Sequence, residues 1–100
     1  MNNSKMVEAC LACVATCESC ITACINGGNK ECALLCRDCA DICDLCARLE
    51  ARGSKFAEHF KSHCAEICKA CAEECSKHAS HMETCKACAE SCKKCAEACA

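Results

Sequence analysis

Cysteine is the residue type with the most chemical potential in this chain. It supplies nineteen of the 100 residues, whereas aromatic residues number two. The cysteines fall into four groups, and within each group steps of three and four residues alternate. The groups are Cys10, Cys13, Cys17, Cys20, Cys24; Cys32, Cys36, Cys39, Cys43, Cys46; Cys64, Cys68, Cys71, Cys75; and Cys85, Cys88, Cys92, Cys95, Cys99. Thiolates are the ligands that select soft metal ions such as Cu(I) and Zn(II).

The spacing also indicates which elements position the thiols. Alternating steps of three and four average 3.5 residues, the repeat of the inward seam of a helical bundle. A strand would need a period of two, which excludes β-structure. We therefore predict an all-α fold, an antiparallel up-down-up-down four-helix bundle with a Cys-lined core. It forms one domain over residues 1–100, with helices at roughly 5–25, 30–52, 55–78 and 81–99.

Residues that favour helix ends lie at the expected boundaries. Three residues with capping side chains precede predicted helices: Ser4, Asn29 and Ser54. Ser80 and Glu83 have the spacing of a capping box before the last helix. Glycine follows the first two helices, and Gly53 marks the end of the second.

Four explanations could account for the thiol stripes. Cysteine can fill a core as a small hydrophobe, although Ala, Val and Leu do so without risk of oxidation. A disulfide scaffold fits poorly, since thiols one turn apart on a helix have unfavourable geometry for a bond. An iron–sulfur or thiol redox protein remains an alternative, but the ferredoxin run and the thioredoxin βαβ context are missing. A zinc-thiolate buffer is the other alternative.

Multiple Cu(I) ions fit the pattern better, because Cu(I) accepts few thiolate ligands and one Cys-x-x-x-Cys pair is then sufficient. Thiols one helical turn apart are about 5–6 Å apart at Cβ. The predicted pairs are Cys13/Cys17, Cys20/Cys24, Cys32/Cys36, Cys39/Cys43, Cys64/Cys68, Cys71/Cys75, Cys88/Cys92 and Cys95/Cys99. Thiolate bridges between helices would raise the capacity towards about one ion per cysteine.

Two histidines extend the predicted metal site beyond the cysteines. His78 follows Cys75 by three residues and His81 precedes Cys85 by four, so both continue the seam and are predicted to ligate copper at its rim. They could equally be solvated turn residues. Met82 and Asn26 are weaker candidates at this end. At the opposite end, Leu49 and Phe60 are predicted to exclude water, and Met6 to cap the core or act as a soft ligand. His59 and His63 lie off the seam and are read as flanking residues.

Composition argues against several other functions. The net charge is −2, with 12 basic and 14 acidic residues interspersed, and no basic patch or aromatic stacking platform predicts binding to nucleic acid. We find no enzyme motif. No signal peptide or run long enough to span a membrane is recognised, so a cytoplasmic location with reduced thiols is expected.

Specific motifs resemble those of the copper storage protein family, particularly its cytosolic type. They are Cys36-Arg-Asp-Cys-Ala-Asp-Ile-Cys43, Cys64-Ala-Glu-Ile-Cys-Lys-Ala-Cys71, and Cys75-Ser-Lys-His78 leading to His81 and Cys85-Lys-Ala-Cys88. The similarity extends over essentially the whole chain. It implies Cu(I) storage along the bundle core, histidines near a mouth and a homotetramer. Met82-Glu-Thr84 departs from the more His-rich turn that relatives can have.

Overall fold

Four helices make up most of the computed structural model, which describes residues 4–100. They are α1 (Ser4–Asn26), α2 (Lys30–Ala51), α3 (Ala57–Ser76) and α4 (Glu83–Cys99). No strand occurs among the described residues. The predicted all-α fold is therefore confirmed. Residues 1–3, which entered the argument against a signal peptide, lie outside the described residues.

The helices pack in chain order around a ring, so that α4 closes against α1. Sulfur contacts give the direction of each neighbour. Cys10 near the start of α1 meets Cys99 at the end of α4, and Cys20 near the end of α1 meets Cys85 at the start of α4. The bundle is thus antiparallel and up-down-up-down, with overall dimensions of 41 × 18 × 17 Å.

Small residues allow the helices to approach closely. Every cysteine is buried, and on α2, α3 and α4 many are followed by an alanine that is buried as well. These alanines are Ala33, Ala40, Ala47, Ala65, Ala72, Ala89 and Ala96. Neither side chain carries much apolar area, so the core of the metal-free protein is stabilised by close packing rather than by large hydrophobic groups.

Two glycines end α1 and α2 as the sequence predicts. Gly28 and Gly53 have φ values of 78° and 68°, in the region that glycine adopts without a steric penalty. After α1, the N–H of Asn29 donates to the carbonyl of Cys24 over 2.7 Å. After α2, the N–H of Ser54 donates in the same way to the carbonyl of Leu49 over 2.9 Å. Both turns are Schellman motifs, which reverse the chain in a few residues.

The starts of α3 and α4 differ from the prediction. α3 begins at Ala57 rather than near residue 55, because the Ser54 hydroxyl accepts the N–H of Phe56 and holds an intervening turn. The predicted capping box does not form. Residues 77–81 are a turn, Met82 is extended at φ −137° and ψ 110°, and α4 begins only at Glu83.

The predicted caps at Ser4 and Asn29 also have different roles. Ser4 is already the first helical residue of α1. Asn29 does occupy the N-cap position of α2, but its side chain makes no capping hydrogen bond. Its amide instead donates to the Met82 sulfur, 3.1 Å away. Contact between two turns has therefore replaced a local cap.

α1 is more apolar than the sequence analysis allowed. By length and composition, Ser4–Asn26 could cross a membrane, a test that core helices of soluble proteins also pass. Its inward residues are fully buried in the core of the bundle, namely Met6, Cys10, Cys13, Cys17, Cys20 and Cys24. Leu11 and Ile25 lie exposed on its outer side.

Candidate metal centre

The thiols form one continuous column along the bundle axis. All nineteen cysteines are free, and close contacts between their sulfur atoms measure 3.4 to 3.9 Å. A disulfide bond is about 2.05 Å long, so these are non-bonded contacts. The Cys-lined core expected from the seam is confirmed, and the disulfide scaffold is not the structure adopted.

Neighbouring sulfurs form groups of four that share members. In each group the sulfur atoms lie within 4.8 Å of one another. The groups include Cys10, Cys64, Cys95, Cys99; Cys13, Cys39, Cys43, Cys68; Cys13, Cys17, Cys39, Cys92; Cys17, Cys71, Cys88, Cys92; and Cys20, Cys32, Cys75, Cys85. Four sulfurs held tetrahedrally by bonds of about 2.3 Å would be ~3.8 Å apart. The spaces between the thiols therefore have the dimensions of metal sites.

Most of these close contacts join different helices. The pairs predicted within one helix at Cys13/Cys17, Cys20/Cys24, Cys39/Cys43 and Cys88/Cys92 do lie within 3.5 to 3.9 Å. Closer or equal contacts cross the core, such as Cys32 to Cys75 at 3.4 Å and Cys43 to Cys68 at 3.5 Å. Tertiary packing, and not only the helical repeat, sets the positions of the sulfurs.

Burial keeps thiols protonated in the metal-free protein. Removal from water raises the pKa of the Cys85 thiol to about 12, with hydrogen bonds to Cys20 and Cys24 acting in the same direction. Burial likewise raises the pKa of Cys32 to about 11. A cation entering the core must displace these protons, so metal binding releases acid and neutralises thiolate charge in place.

One end of the column, here called the His78 end, is covered by the α1–α2 and α3–α4 turns. The Met82 sulfur lies 3.9 Å from the Cys85 sulfur and accepts the amide of Asn29, so both turns meet over the last thiols. Met82 thus adds a soft thioether next to the column, as the sequence analysis suggested. Asn26, its other weak candidate, is an exposed residue at the end of α1.

The two predicted histidine ligands lie in the α3–α4 turn. His78 is half-buried, and its Nε2 donates to a carboxylate oxygen of Glu74 over 3.1 Å, which holds the pKa of Glu74 below its usual range. His81 is exposed, and its ring meets the ring of His78 edge-on at 5.8 Å. Because neither histidine belongs to a helix, the argument from helical phase does not apply to them. The role of Glu74 was missed, although its i, i+4 spacing from His78 was a readable signal.

The other end, here called the Phe60 end, is closed by larger apolar side chains. Met6 is fully buried, Leu49 is buried and Phe60 packs against the core. The Cys46 thiol donates to the carbonyl of Phe60 over 3.5 Å. His59 and His63, predicted to be flanking residues, are exposed.

Comparison with known proteins identifies the family. The model of the copper storage protein family matches residues 1–100. The cysteine-rich protein YhjQ of Bacillus subtilis (strain 168) is 40% identical over 97 residues, covering 93% of this chain and 88% of the relative.

Solved structures share the fold as well. The Cu(I)-bound copper storage protein BsCsp3 superposes with a TM-score of 0.87 at 39% identity, covering 94% of this chain and 91% of that chain. A cytosolic copper storage protein from Streptomyces lividans, loaded with five coppers, gives a TM-score of 0.90 at 33% identity, covering 96% and 87%. With its thiol column, its four-helix bundle and these matches along its length, the chain belongs to the copper storage protein family.

Proposed function

We propose that this protein stores and sequesters multiple Cu(I) ions in the cytosol and catalyses no reaction. Copper is the cargo, and the ligands are the thiolates of the column with the two histidines at its His78 end. These residues are Cys10, Cys13, Cys17, Cys20, Cys24, Cys32, Cys36, Cys39, Cys43, Cys46, Cys64, Cys68, Cys71, Cys75, Cys85, Cys88, Cys92, Cys95, Cys99, His78 and His81. Residues 1–100 act as a single storage unit.

The sharing of thiols between neighbouring groups carries this proposal. Cys13 and Cys39 both belong to two of the four-sulfur groups, as do Cys17 and Cys92. Independent four-coordinate sites, each with four thiolates of its own, cannot all be filled at once when their ligands are shared. Ions that accept two or three thiolates and tolerate bridging sulfur can fill the whole column, and Cu(I) is the soft ion of that kind.

Zinc buffering is the second candidate, and the four-sulfur groups favour it. Zn(II) prefers four ligands in a closed tetrahedral site, and the observed distances suit that geometry. Nineteen thiols taken four at a time, without sharing, would hold about four zinc ions. A capacity well above four monovalent ions would therefore discriminate copper storage from zinc buffering. An iron–sulfur or redox role lacks a comparable observation in its favour.

Anaerobic titration tests the proposed function directly. Cu(I) is added to the reduced protein in the presence of a chromophoric Cu(I) chelator, and bound metal is measured by elemental analysis. We expect the chelator to remain free until on the order of ten or more equivalents have been added. Saturation at one or two ions would refute storage. A parallel Zn(II) titration and the visible spectrum of the purified protein test the two alternatives.

Self-association into a homotetramer is part of the proposal, as the family resemblance implies. In support, α1 and α2 expose the large apolar side chains Leu11, Ile25 and Leu34. Ile25 and Leu34 line one cleft between the two helices, and an apolar patch of this kind is usually covered in solution. Light scattering should give four times the mass of one chain, and Leu34→Lys should lower it, whereas Glu90→Lys on the outer face of α4 should not. A monomeric wild-type protein would refute the assembly without affecting storage.

A further inference from the structure

The cysteines differ in how much of their surface is exposed to solvent. Almost all cysteines have no exposed surface, including Cys24 and Cys85 at the His78 end. Cys99, at the end of α4, is the most exposed of them at 3%. The thiol closest to solvent is therefore at the Phe60 end, whose axis is closed by Met6 and Phe60.

Cys99 also lines a surface cleft beside α3. The cleft has a volume of about 730 Å³ and its lining includes Ser62, Ala65, Glu66 and Lys69. A second cleft of about 720 Å³ continues it between α3 and α4, past Lys69. Buried Ala65 and Ala72 explain the groove, because their methyl groups leave the outer edge of the α3–α4 interface unfilled.

A metal ion that reached Cys99 would already be in contact with the column. Its sulfur lies 3.8 Å from the Cys10 sulfur, which is 3.6 Å from that of Cys95. Cys10, Cys95 and Cys99 belong to one four-sulfur group with Cys64. Cys99 is thus the outermost member of a preformed cluster rather than an isolated surface thiol.

Charges along the cleft indicate which small molecule would fit. Glu66, Lys69 and Glu73 line it, and the ion pairs formed among residues 4–100 engage none of the three. An ammonium group would pair with a glutamate, a carboxylate with Lys69, and a thiol carried between them would face Cys99. Low-molecular-weight thiols of the amino acid and small peptide class combine these groups.

We propose that this cleft is a lateral exchange port, where a zwitterionic small thiol delivers Cu(I) to Cys99 and Cys10 or removes it from them. The step is a ligand exchange: the bis-thiolate complex Cu(SR)₂⁻ and two cysteine thiols give the bis-cysteinate complex and two RSH. Two Cu–S bonds form, two break, both protons pass to the departing thiols, and copper remains Cu(I). This inference rests on the proposed storage function.

Transfer kinetics test the port. The probe is the Cu(I) complex of glutathione, mixed anaerobically with the metal-free protein, and Cys99→Ser is compared with Cys24→Ser, which removes one ligand at the His78 end, and with Ser91→Ala, which removes none. We expect Cys99→Ser to slow transfer roughly tenfold and more than Cys24→Ser does, and Ser91→Ala to leave the rate near that of wild type. Greater slowing by Cys24→Ser than by Cys99→Ser would overturn the port. Failure of the wild type to take up more than two ions would instead overturn storage itself.

A charge variant and a labelling experiment make the test independent of any folding defect. Lys69→Ala should slow transfer from the Cu(I) complex of glutathione but not from that of mercaptoethanol, a thiol that carries neither an ammonium nor a carboxylate group; equal effects on both would refute recognition of a zwitterion. In the unmutated protein, brief alkylation followed by peptide mass spectrometry should modify Cys99 first. Earlier modification of Cys24 or Cys85 would contradict the port.

Discussion

The His78 end and the Phe60 end of the thiol column differ in the residues that follow the last cysteines. At the His78 end these are Asn29, His78 and Met82, which are polar or soft and lie in turns. At the Phe60 end they are Met6, Leu49 and Phe60, which are bulky and apolar and belong to helices. The same seam is thus continued by possible ligands in one direction and by packing groups in the other.

This difference indicates that the two ends have different roles. A core of cysteine and alanine contributes little apolar area, so the few large side chains have to supply much of the stability of the metal-free protein. Met6, Leu49 and Phe60 lie at the Phe60 end, and smaller contributions come from side chains packed along the helices, namely Val14, Ile21, Leu35, Ile42 and Ile67. The His78 end can then consist of turns whose rearrangement disturbs little of the packed core, which suits the ligand role proposed for its histidines.

Loading with copper should change the free energy of unfolding more than any substitution does. It should also reduce the difference in stability between the His78 end and the Phe60 end. Each ion held at a thousandfold excess over its dissociation constant adds about 4 kcal/mol to the free energy of unfolding. We expect the Tm of the loaded protein to exceed that of the metal-free protein by about 15 °C or more. Anaerobic circular dichroism would measure it. Hydrogen exchange should show that residues 77–82 gain protection; an unchanged Tm would contradict a column of bound ions.

Truncation of Phe60 should have the next largest effect. Phe60→Ala removes a ring packed against the core, which should lower the free energy of unfolding of the metal-free protein by roughly 2–3 kcal/mol. Phe56→Ala is the matched control, since Phe56 is 52% exposed and its loss should have little effect. Anaerobic urea unfolding would measure both. Equal losses would mean that the Phe60 end is not where stability is concentrated.

The stability of the metal-free protein should fall in mild alkali. The pKa values of Cys85 and Cys32, about 12 and about 11, lie above the ordinary thiol value of about 8.5. The two protonated thiols therefore make their full contribution to the free energy of unfolding below about pH 8.5. That contribution is lost as the pH rises towards 11, at about 1 kcal/mol per thiol for each pH unit. Urea unfolding at pH 7.5 and 9.5 would measure it.

Variants assign this pH dependence to the His78 end. Cys85→Ala should reduce the difference in the free energy of unfolding between pH 7.5 and pH 9.5, whereas the control Ser91→Ala should leave that difference unchanged. Stability that rises between pH 7.5 and 9.5 would show that the buried thiols ionise readily.

The smallest effect is expected for the histidines. His78→Ala should slow the uptake of the first copper equivalents and reduce the capacity by no more than about one ion, because the thiols dominate the ligand set. Its loss of the contact with Glu74 should lower stability by less than about 1 kcal/mol. His59→Ala, at the Phe60 end, is the control. If both variants take up copper at the rate of wild type, the His78 end is not an entrance that depends on histidine.

The sequence predicted those features that a helical repeat determines. Alternating steps of three and four placed every cysteine on an inward face, and Gly28 and Gly53 ended helices where expected. The sequence did not predict features that depend on contact between distant segments. Asn29 donates to Met82 instead of capping α2, and residues 77–81 form a turn where a capping box was expected. The cleft at Cys99 likewise depends on how two alanine-bearing helix surfaces meet.

The seven-residue repeat of the thiol seam has a consequence for how such containers can change in size. One inserted heptad in each of the four helices would lengthen the bundle by about 10.5 Å and preserve the inward register. It would introduce roughly eight new sulfur ligands, two from each helix. Both ends would keep their present structures. The volume of the core can therefore be adjusted in steps along the axis, independently of the His78 end and the Phe60 end.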